Sequence, residues 1–341
     1  MPPSRQQLSQ REIDAVLAIY DIGRVHEISE LAAGSVYSPK VIARTDRGKL
    51  LLKRRARGLD MPGLVAFSHE VMLGCLAAGV CVPPLLGTKA DNNSMAQFED
   101  HIYELFVFID GEPFDRRRPE HAGQAGALLR EVHSAMDGLR PTFEPALEPT
   151  VIDTGRLKAL EDRRDALPKG LGEQLSRLMG YGDELARANT GRPALVHGDW
   201  HPGNMIFRGD EIVAICDFDN CRVGSRLREI AQAMVHISLV PPGPGQRAAD
   251  AEPKPELDAL RAFWSGYRDQ SSSQPPPLPA RLCLGLMPAV MIDEALATLP
   301  AMARGDGGGG VDGGISLLTA VGRKAAWLDE HQADLRALLE Y

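Results

Sequence analysis

The first clear hydrophobic pattern along the chain is that of a helix. From Ile13 to Tyr20 the apolar side chains recur every three or four residues, which places them on one helical face. Ser9 and Glu12 stand at the start of this run, at the spacing where each side chain binds the other's backbone N–H group. The pattern therefore predicts an amphipathic helix that begins next to Ser9.

Runs rich in β-branched and other apolar residues follow and predict a small β-sheet. They cover residues 27–31, 36–45 and 50–54, and Asp-Arg-Gly at 46–48 separates the last two. A short, glycine-containing segment between two such runs is typical of a β-hairpin turn. We therefore expect the second and third runs to pair.

A helix is predicted next, from about Ser68 to near Gly79. Glycine is common at the left-handed position directly after a helix, and the two prolines from Pro83 prevent the helix from continuing. An aromatic and aliphatic run at 101–109 then predicts a buried strand, which ends at the turn-forming sequence 110–113.

Beyond residue 115 the pattern becomes mainly helical. Helices are predicted at 122–136 and 173–188 and again after Arg226, and short strands at 194–196 and 212–216 interrupt them. Three segments rich in Pro, Gly or Ser, which we interpret as surface loops, lie at 241–255, 271–279 and 305–314.

The charge balance, the hydrophobic stretches and the cysteines argue against several classes of protein, namely nucleic-acid binders, membrane proteins and disulfide-rich secreted proteins. With 38 basic and 46 acidic residues the chain has a net charge of −8, whereas a nucleic-acid binder normally presents a basic face. No apolar stretch reaches the roughly 18 residues of a membrane helix, and the polar N-terminal sequence lacks the apolar core of a secretory signal. The 5 cysteines are scattered, which is more typical of a reducing cytoplasm than of a disulfide scaffold. We therefore expect a cytoplasmic protein that binds neither nucleic acid nor membranes.

The strongest candidate for chemistry is His-Gly-Asp-Trp-His-Pro-Gly-Asn at 197–204, followed by Asp-Phe-Asp at 217–219. A short apolar run precedes each carboxylate. Arg-Gly-Asp at 208–210 lies between the two and suits a tight turn, so we expect the two apolar runs to pair as a hairpin. This pairing would bring three side chains together, those of Asp199, Asn204 and Asp217.

Phosphoryl transfer requires such a set of oxygen atoms. One carboxylate orients the acceptor hydroxyl and takes its proton, while a second carboxylate and an amide oxygen hold Mg²⁺ beside the phosphates of ATP. The spacing of Asp199 and Asn204, with a later Asp-Phe pair, matches the catalytic loop and metal-binding motif of protein kinases. Gly198 stands where that loop usually has arginine, and Asp219 where the metal-binding motif usually has glycine.

In these two motifs the chain resembles the aminoglycoside phosphotransferase and choline kinase-like family, whose catalytic loop reads His-Gly-Asp-x-x-x-x-Asn before a second acidic motif. The resemblance extends over residues 25–240 or so and implies a protein-kinase-like fold. It also implies Asp199 as the catalytic base, Asn204 and Asp217 as magnesium ligands, and Asp219 as an accessory acidic group.

The same residues allow weaker interpretations. The carboxylates could belong to ordinary turns. His197 and His201 could both serve a zinc ion, but no third ligand lies nearby with recognisable spacing, and Pro202 breaks any helix that would present both. In the family the first histidine of the motif shapes the loop, and we assign that role to His197.

Elements and motifs together predict an α+β, two-lobed, protein-kinase-like fold. Residues 1–109 would form a nucleotide-binding lobe around a small antiparallel β-sheet. Residues 110–341 would form a larger, mostly helical lobe that holds the catalytic groups and the substrate.

A kinase-like fold also needs a lysine for the nucleotide phosphates and a carboxylate that holds this lysine. Lys53 ends an apolar strand, as the corresponding kinase lysine does, and Glu70 lies early in the next helix, where it could reach back to Lys53. Alternation along the strand places Arg54 on the opposite face. A lysine on a strand is by itself usually a surface residue, so this assignment depends on the catalytic motif.

Two further contacts with the nucleotide are expected. Gly34 and Ser35 lie in the turn 32–35 that would cover the phosphates, and their backbone N–H groups are candidates for phosphate contact although the turn lacks a full glycine-rich motif. The resemblance places the hinge between the lobes at the end of the strand before Asp110, where backbone groups of Val107 and Ile109 would bind adenine. These two residues could equally form only the buried end of a strand.

The expected activity is the ATP- and Mg²⁺-dependent transfer of a phosphoryl group to a hydroxyl of a small molecule, such as an aminoglycoside, choline or homoserine. A protein serine/threonine kinase of the bacterial stress-response type and a nucleotide-binding pseudokinase scaffold are the alternatives. The absence of Ala-Pro-Glu after Asp217 favours a small acceptor, and the complete set of motif residues argues against a pseudokinase. The sequence does not indicate an oligomeric state.

Overall fold

The helices and strands of the chain are divided between a sheet region and a helical region. The computed structural model describes residues 5–32, 34–144, 192–243, 245–268, 280–303 and 310–340, together with isolated positions between 158 and 176. Within these ranges a small antiparallel sheet is followed by mostly helical structure, which confirms the predicted α+β fold.

Five strands in the first part of the chain form one antiparallel sheet. They are β1, Val25–Glu30; β2, Lys40–Thr45; β3, Gly48–Arg54; β4, Ala96–Phe98; and β5, His101–Val107. Their order across the sheet is β1-β2-β3-β5-β4. The predicted hairpin is confirmed, because β2 pairs with β3 and Thr45 lies opposite Gly48 at the turn.

Helix α1, Gln10–Leu17, begins at the predicted capping box. Ser9 Oγ accepts the N–H of Glu12 at 3.2 Å, and Glu12 Oε2 accepts the N–H of Ser9 at 2.8 Å. The buried face of α1 packs on the sheet in the smaller of two hydrophobic clusters, which also contains Val41, Leu50 and Leu52. The amphipathic pattern of the sequence therefore predicted both the helix and its buried side.

Helix α2, Pro62–Ala77, connects the sheet to the helical region. It begins before the predicted Ser68, since Pro62 occupies the first turn, where its missing N–H costs no helical hydrogen bond. Several of its buried side chains, among them Phe67 and Val71, belong to the larger hydrophobic cluster, which they share with the helices of the second half.

Six helices are described after residue 115, and all of them contribute to the larger hydrophobic cluster. They are α3, Pro119–Asp137; α4, Arg226–Ser238; α5, Leu257–Arg268; α6, Ala280–Ala303; α7, Gly310–Glu330; and α8, Gln332–Glu340. Helix α3 packs along α5, and α6 contacts both α4 and α7. The described helices include none with the length and hydrophobicity that a membrane span requires.

Four short strands surround the predicted catalytic segments, and their pairing differs from the prediction. They are β6, Pro193–Val196; β7, Met205–Arg208; β8, Glu211–Ile215; and β9, Arg222–Ser225. We expected the strands before Asp199 and Asp217 to pair, that is, β6 with β8, and this is wrong. Instead β6 pairs with β9, and β7 pairs with β8 across the predicted turn at 208–210. The sequence did not mark β7 as a strand because its four residues follow the motif without a break.

Some loop and helix predictions fall outside the described residues, namely the body of the helix at 173–188 and the loop at 271–279. The loop predicted at 305–314 is wrong in its second part, because α7 begins at Gly310. Ile315 and Leu318 of α7 pack on the larger hydrophobic cluster, and this packing outweighs the low helix propensity of glycine.

Candidate active site

The β7–β8 hairpin places the two predicted motifs side by side. Met205 lies opposite Ile215 at the open end of the hairpin. Beyond this pair the Cys216 N–H donates to the Asn204 carbonyl oxygen at 2.8 Å. Asn204 therefore lies directly next to the segment that carries Asp217.

Asp199 lies against the same end of the hairpin. Asn204 Nδ2 donates to the Asp199 carbonyl oxygen at 2.9 Å and to Asp199 Oδ2 at 3.3 Å, which leaves the Asn204 side-chain oxygen for other partners. Burial and the charge of Asp217 raise the pKa of Asp199, but His201 and His197 together lower it more. The net pKa of Asp199 is below its usual value. The structure thus brings Asp199, Asn204 and Asp217 together.

His197 and Gly198, which precede Asp199, fix the shape of the catalytic loop. Buried His197 accepts the Asp199 N–H on Nδ1 at 3.3 Å and donates from Nε2 to the Cys216 carbonyl oxygen at 3.2 Å. Both ring nitrogens are used within the loop, which leaves neither for a zinc ion. Gly198 has a φ of 81°, and a Cβ there would lie 2.2 Å from the Asn220 carbonyl oxygen, so only glycine fits.

A buried carboxylate anchors the catalytic loop to the helices. Glu229 of α4 accepts the Gly198 N–H at 2.6 Å, and its other oxygen lies 2.7 Å from Nε2 of His133 on α3. Burial raises the pKa of Glu229, but its contacts with His133, His197 and Gly198 lower it more. The ionised carboxylate therefore ties the loop to two helices at once.

Lys53, at the end of β3, points at the carboxylates of the second motif. Its Nζ donates to Asp217 Oδ1 at 2.9 Å and to Asp219 Oδ1 at 2.5 Å, and the side chain is only 4% exposed. Burial alone would lower the pKa of Lys53, but Asp217, Asp219 and Glu104 raise it above its usual value. A charged ammonium group is therefore held next to the candidate metal ligands.

Asp217 and Asp219 differ in the charge state that their surroundings favour. Burial raises the pKa of Asp217, but Lys53 and Lys40 lower it well below its usual range. Burial also raises the pKa of Asp219, and the charges of Glu104 and Asp217 add to this rise. The pKa of Asp219 therefore lies above its usual value although Lys53 and Arg55 lower it. Asp217 is consequently the stronger anionic ligand of the two.

The predicted pairing of Glu70 with Lys53 is wrong. Glu70 lies on the outer face of α2, where its Oε2 accepts the Thr142 N–H at 2.7 Å and the Phe143 N–H at 3.2 Å. The preceding residue, His69, is buried and faces the sheet instead. One residue corresponds to about 100° of helical rotation, so the orientation that buries the apolar side of α2 turns Glu70 away from Lys53.

The carboxylate that faces Lys53 from the small lobe belongs to Glu104 of β5, which the sequence reasoning missed. Glu104 lies opposite Lys53 in the β3–β5 register, and its Oε2 is 3.7 Å from Lys53 Nζ. A signal was present, because Glu104 is the one carboxylate in the apolar run from His101 to Ile109. A charged residue at a buried strand position is rare unless it has a partner.

Lys40, the first residue of β2, is a second missed cation. It lies opposite Lys53 in the β2–β3 register, and its Nζ would be 2.8 Å from a Cβ placed on Gly34. Burial lowers the pKa of Lys40 and the charge of Lys53 lowers it further, while Asp217 and Asp219 act in the opposite direction. Lys40 therefore stands between the predicted phosphate-covering turn and the acidic pair.

Gly34 and Ser35 lie beside the site, but their hydrogen bonds are made by their carbonyl groups and by the Ser35 hydroxyl, which accepts the Tyr37 N–H at 3.2 Å. Arg5 donates to the Gly34 carbonyl oxygen at 3.0 Å and to the Ser35 carbonyl oxygen at 3.2 Å. The N–H groups of Gly34 and Ser35 take part in no hydrogen bond among the described residues. Phosphate contact by these N–H groups stays a prediction.

The hinge residues differ in what they can offer to adenine. The Val107 N–H donates to the Pro84 carbonyl oxygen at 2.8 Å, so this group is already engaged. Ile109 follows the end of β5, and its backbone groups form no backbone hydrogen bond within the described parts of the chain. Of the two predicted residues, Ile109 is the better candidate.

A row of partly buried side chains extends from Asp199 toward the helices, and its members His236 and Glu294 were missed from the sequence. His201 Nε2 lies 3.6 Å from Asp199 Oδ2. Burial lowers the pKa of His201, but Asp199 and the charges of Asp217 and Glu294 together raise it above the usual value. The rings of His201 and His236 are 6.0 Å apart, and His236 Nε2 lies 2.9 Å from Glu294 Oε1 of α6.

This donor set fits a divalent cation bound with a nucleotide. Asp217 and Asn204 supply hard oxygen atoms, and Lys53 and Lys40 supply positive charge beside them. Two protein ligands suffice for Mg²⁺ in such sites, because it keeps several waters and binds phosphate oxygens.

Residues 27–267 match the family model described as the phosphotransferase enzyme family. The chain belongs to this family. The matched range includes Lys53, Asp199, Asn204 and Asp217, and the match confirms the resemblance that the two motifs indicate.

Homoserine kinases are among the curated proteins to which this family member is similar. The one from Sinorhizobium fredii is 23% identical over 218 residues, which are 62% of this chain and 63% of that protein. The one from Pseudomonas aeruginosa strain LESB58 is 28% identical over 231 residues, 66% of this chain and 69% of that protein. The match thus spans slightly less than two thirds of the first of these relatives.

Several solved structures have the same fold. An amicoumacin kinase has a TM-score of 0.65 at 13% identity, with 97% of this chain and 94% of that chain covered. A microcompartment-associated aminopropanol kinase has a TM-score of 0.65 at 14% identity, with 96% and 99% covered. A choline/ethanolamine kinase family protein from Mesorhizobium loti has a TM-score of 0.57 at 16% identity, with 91% and 92% covered. This likeness establishes a protein-kinase-like fold for the chain.

Proposed function

We propose that this protein is an ATP- and Mg²⁺-dependent phosphotransferase that acts on a hydroxyl group of a small molecule. The observation that carries the proposal is the contact of buried Lys53 with Asp217 and Asp219, directly beside the bonded pair Asp199 and Asn204. Lys53 and Asp217, which suit the phosphates and metal ion of a nucleoside triphosphate, thus lie next to Asp199, whose carboxylate suits an acceptor hydroxyl.

Each residue has one task in this proposal. Lys53 binds the nucleotide phosphates, and Asn204 and Asp217 hold the metal ion with Asp219 as an accessory acidic group. When bound, Mg²⁺ neutralises charge on the β- and γ-phosphates. Asp199 accepts a hydrogen bond from the acceptor hydroxyl, orients its oxygen and takes up its proton. Its lowered pKa keeps it ionised for this task.

The names of the similar proteins suggest the class of acceptor. They include homoserine kinases, an aminopropanol kinase and a choline/ethanolamine kinase family protein. Homoserine, aminopropanol and ethanolamine are small molecules with a hydroxyl and an amino group. We propose an acceptor of this class, and Glu294, near His236 and His201, is a suitable partner for its cationic group.

A turnover assay with Mg-ATP and a panel of acceptors tests the proposal. The panel contains homoserine, aminopropanol, ethanolamine, choline, spectinomycin and casein. We expect phosphoryl transfer to at least one of the amine-bearing alcohols. Transfer to casein alone would favour a protein kinase, and nucleotide binding without transfer to any acceptor would favour a pseudokinase.

Two variants test the assigned roles. Asp199→Asn should reduce turnover by about 10²- to 10⁴-fold while Mg-ATP binding persists, because only proton transfer and acceptor orientation are lost. Asp217→Asn should abolish the Mg²⁺ dependence of nucleotide binding. Undiminished turnover of Asp199→Asn would refute the base assignment.

A further inference from the structure

We propose that Glu104, a strand residue, positions Lys53 for the nucleotide phosphates in place of a carboxylate from α2. This inference rests on the proposed function, since it concerns the same lysine. Glu104 and Lys53 lie opposite each other on neighbouring strands, and their side chains are 1% and 4% exposed. The pair is therefore part of the rigid sheet and not of a mobile surface.

The two oxygens of Glu104 have different surroundings. Oε1 accepts from Arg55 Nε at 2.9 Å, from Arg55 Nη2 at 2.7 Å and from His69 Nε2 at 2.5 Å. Oε2 is buried and has no hydrogen-bond partner among the described residues, and it lies 3.7 Å from Lys53 Nζ. A buried carboxylate oxygen without a partner is costly, so its orientation toward the lysine calls for a role.

The other partners of Lys53 cannot hold it as constantly. Asp217 and Asp219 bind Lys53 at 2.9 Å and 2.5 Å, but they are also the acidic groups proposed for the metal ion. Their oxygens would therefore be shared between two cations, whereas Arg55 and His69 fix Glu104 on the sheet side. Glu104 Oε2 is thus the oxygen reserved for Lys53 alone.

Helix α2 still contacts the partner of Lys53, through the side chain of His69. His69 Nδ1 lies 2.8 Å from Ser94 Oγ, and His69 Nε2 lies 2.5 Å from Glu104 Oε1. The Ser94 hydroxyl and the carboxylate together fix the tautomer in which Nε2 donates. The ring of His69 therefore connects α2 to the carboxylate that faces Lys53, while Glu70 binds Thr142 outside the site.

Equilibrium binding of Mg-ATP to the full chain, measured by isothermal titration calorimetry, tests this inference. Glu104→Gln should weaken binding on the order of tenfold or more, because a buried charge partner of Lys53 is lost at constant shape. Glu70→Gln is the matched control on the same lobe and should change the affinity by less than about twofold, since a fully paired surface carboxylate contributes little.

A double-mutant cycle separates positioning of Lys53 from a general structural effect. In a Lys53→Met background, Glu104→Gln should cause no further loss of Mg-ATP affinity, because the residue it positions is gone. An equal loss in both backgrounds would overturn the inference, and so would a wild-type affinity of Glu104→Gln or an equal loss in Glu70→Gln.

Two controls keep the result interpretable. Thermal denaturation shows whether Glu104→Gln is folded. If it is not, Glu104→Asp replaces it with the same expected direction, since the shorter side chain withdraws the carboxylate from Lys53. Wild-type protein that binds no Mg-ATP would refute the proposed function, and this inference with it. Wild-type binding with an unaffected Glu104 variant would refute this inference alone.

Discussion

At the scale of single residues, the carboxylate of Asp199 stands between two neighbours with different effects. Asn204 Nδ2 donates to it and fixes its place beside the metal-binding segment. His201 lies on its other side and lowers its pKa against the effect of burial. The loop sequence therefore sets the position of the base through one neighbour and its protonation through the other.

His201→Asn should shift the acid limb of the kcat/KM pH profile to higher pH. Burial raises the pKa of Asp199, and without His201 less opposes this effect, so the base is protonated over a wider acidic range. Asparagine can still accept the Gly203 N–H, which His201 Nδ1 accepts at 3.0 Å.

The kcat/KM pH profiles of wild type and His201→Asn at constant ionic strength provide the measurement. His26→Asn, at a site on β1, is the control, and an unshifted limb in His201→Asn would contradict the expectation.

At the scale of elements, α3 and α5 cross with backbone against backbone. A Cβ on Gly126 of α3 would lie 2.0 Å from the Phe263 carbonyl oxygen, and one on Gly266 of α5 would lie 2.0 Å from the Gly123 carbonyl oxygen. This close crossing holds α3 in the position from which His133 reaches Glu229. Small residues at the crossing thus influence the anchor of the catalytic loop.

Gly126→Ala should lower the free energy of unfolding by about 2 kcal/mol or more, because the added methyl group forces the two backbones apart. Gly285→Ala is the matched control in α6, where a Cβ would meet nothing within 4 Å. Alanine there should be neutral or stabilise by up to about 1 kcal/mol, since it favours the helix. Urea denaturation followed by circular dichroism measures both, and equal losses would rule out the close crossing as the cause.

The elements that local pattern specifies were predicted well, and those that depend on distant partners were not. The capping box and apolar face of α1 and the turn at 46–48 are local, and both predictions are confirmed. The pairing of β6 with β9 joins segments that are far apart in sequence, and the prediction for these strands was wrong. Four-residue strands carry too few side chains to indicate a partner.

At the scale of the whole molecule, histidines with shifted pKa values make the free energy of unfolding depend on pH. Burial is the largest cause that lowers the pKa of His101, His133 and His197. The pKa of His201 is raised instead, because Asp199, Asp217 and Glu294 together outweigh burial. Below the ordinary histidine pKa of about 6.5 the unfolded chain therefore binds more protons than the folded chain at His101, His133 and His197. At His201 the folded chain binds more protons, in a window that lies above 6.5.

The free energy of unfolding should consequently fall as the pH decreases from about 6.5 toward the lowered folded pKa values of these three histidines. In that window protonation favours the unfolded chain. Above it the three rings are neutral in both the folded and the unfolded chain, so their contribution to the free energy of unfolding no longer changes with pH. Urea denaturation at a series of pH values in one buffer system gives the slope. A free energy of unfolding that is constant or rises on acidification through this window would contradict the lowered pKa values of these three histidines.

The two-lobed organisation follows from the sequence only in part. The order of a small sheet and then helices was predicted, but α2 contributes Phe67 and Val71 to the core of the helical region. A lobe boundary at 109/110 therefore stays a prediction. A cytoplasmic location likewise stays a prediction. In the structure, α2, which the sequence assigns to the first lobe, packs in the core of the helical region.

The sequence by itself determined the family and the fold class, and it predicted four residues that the structure brings together, Lys53, Asp199, Asn204 and Asp217. Their spacing is a property of one loop, one hairpin and one strand end, so short-range pattern is enough to identify them. Only the tertiary structure decided which carboxylate faces Lys53. That choice depends on how α2 rotates on the core and which residues of β3 and β5 lie opposite, and neither is set by residues adjacent in the chain.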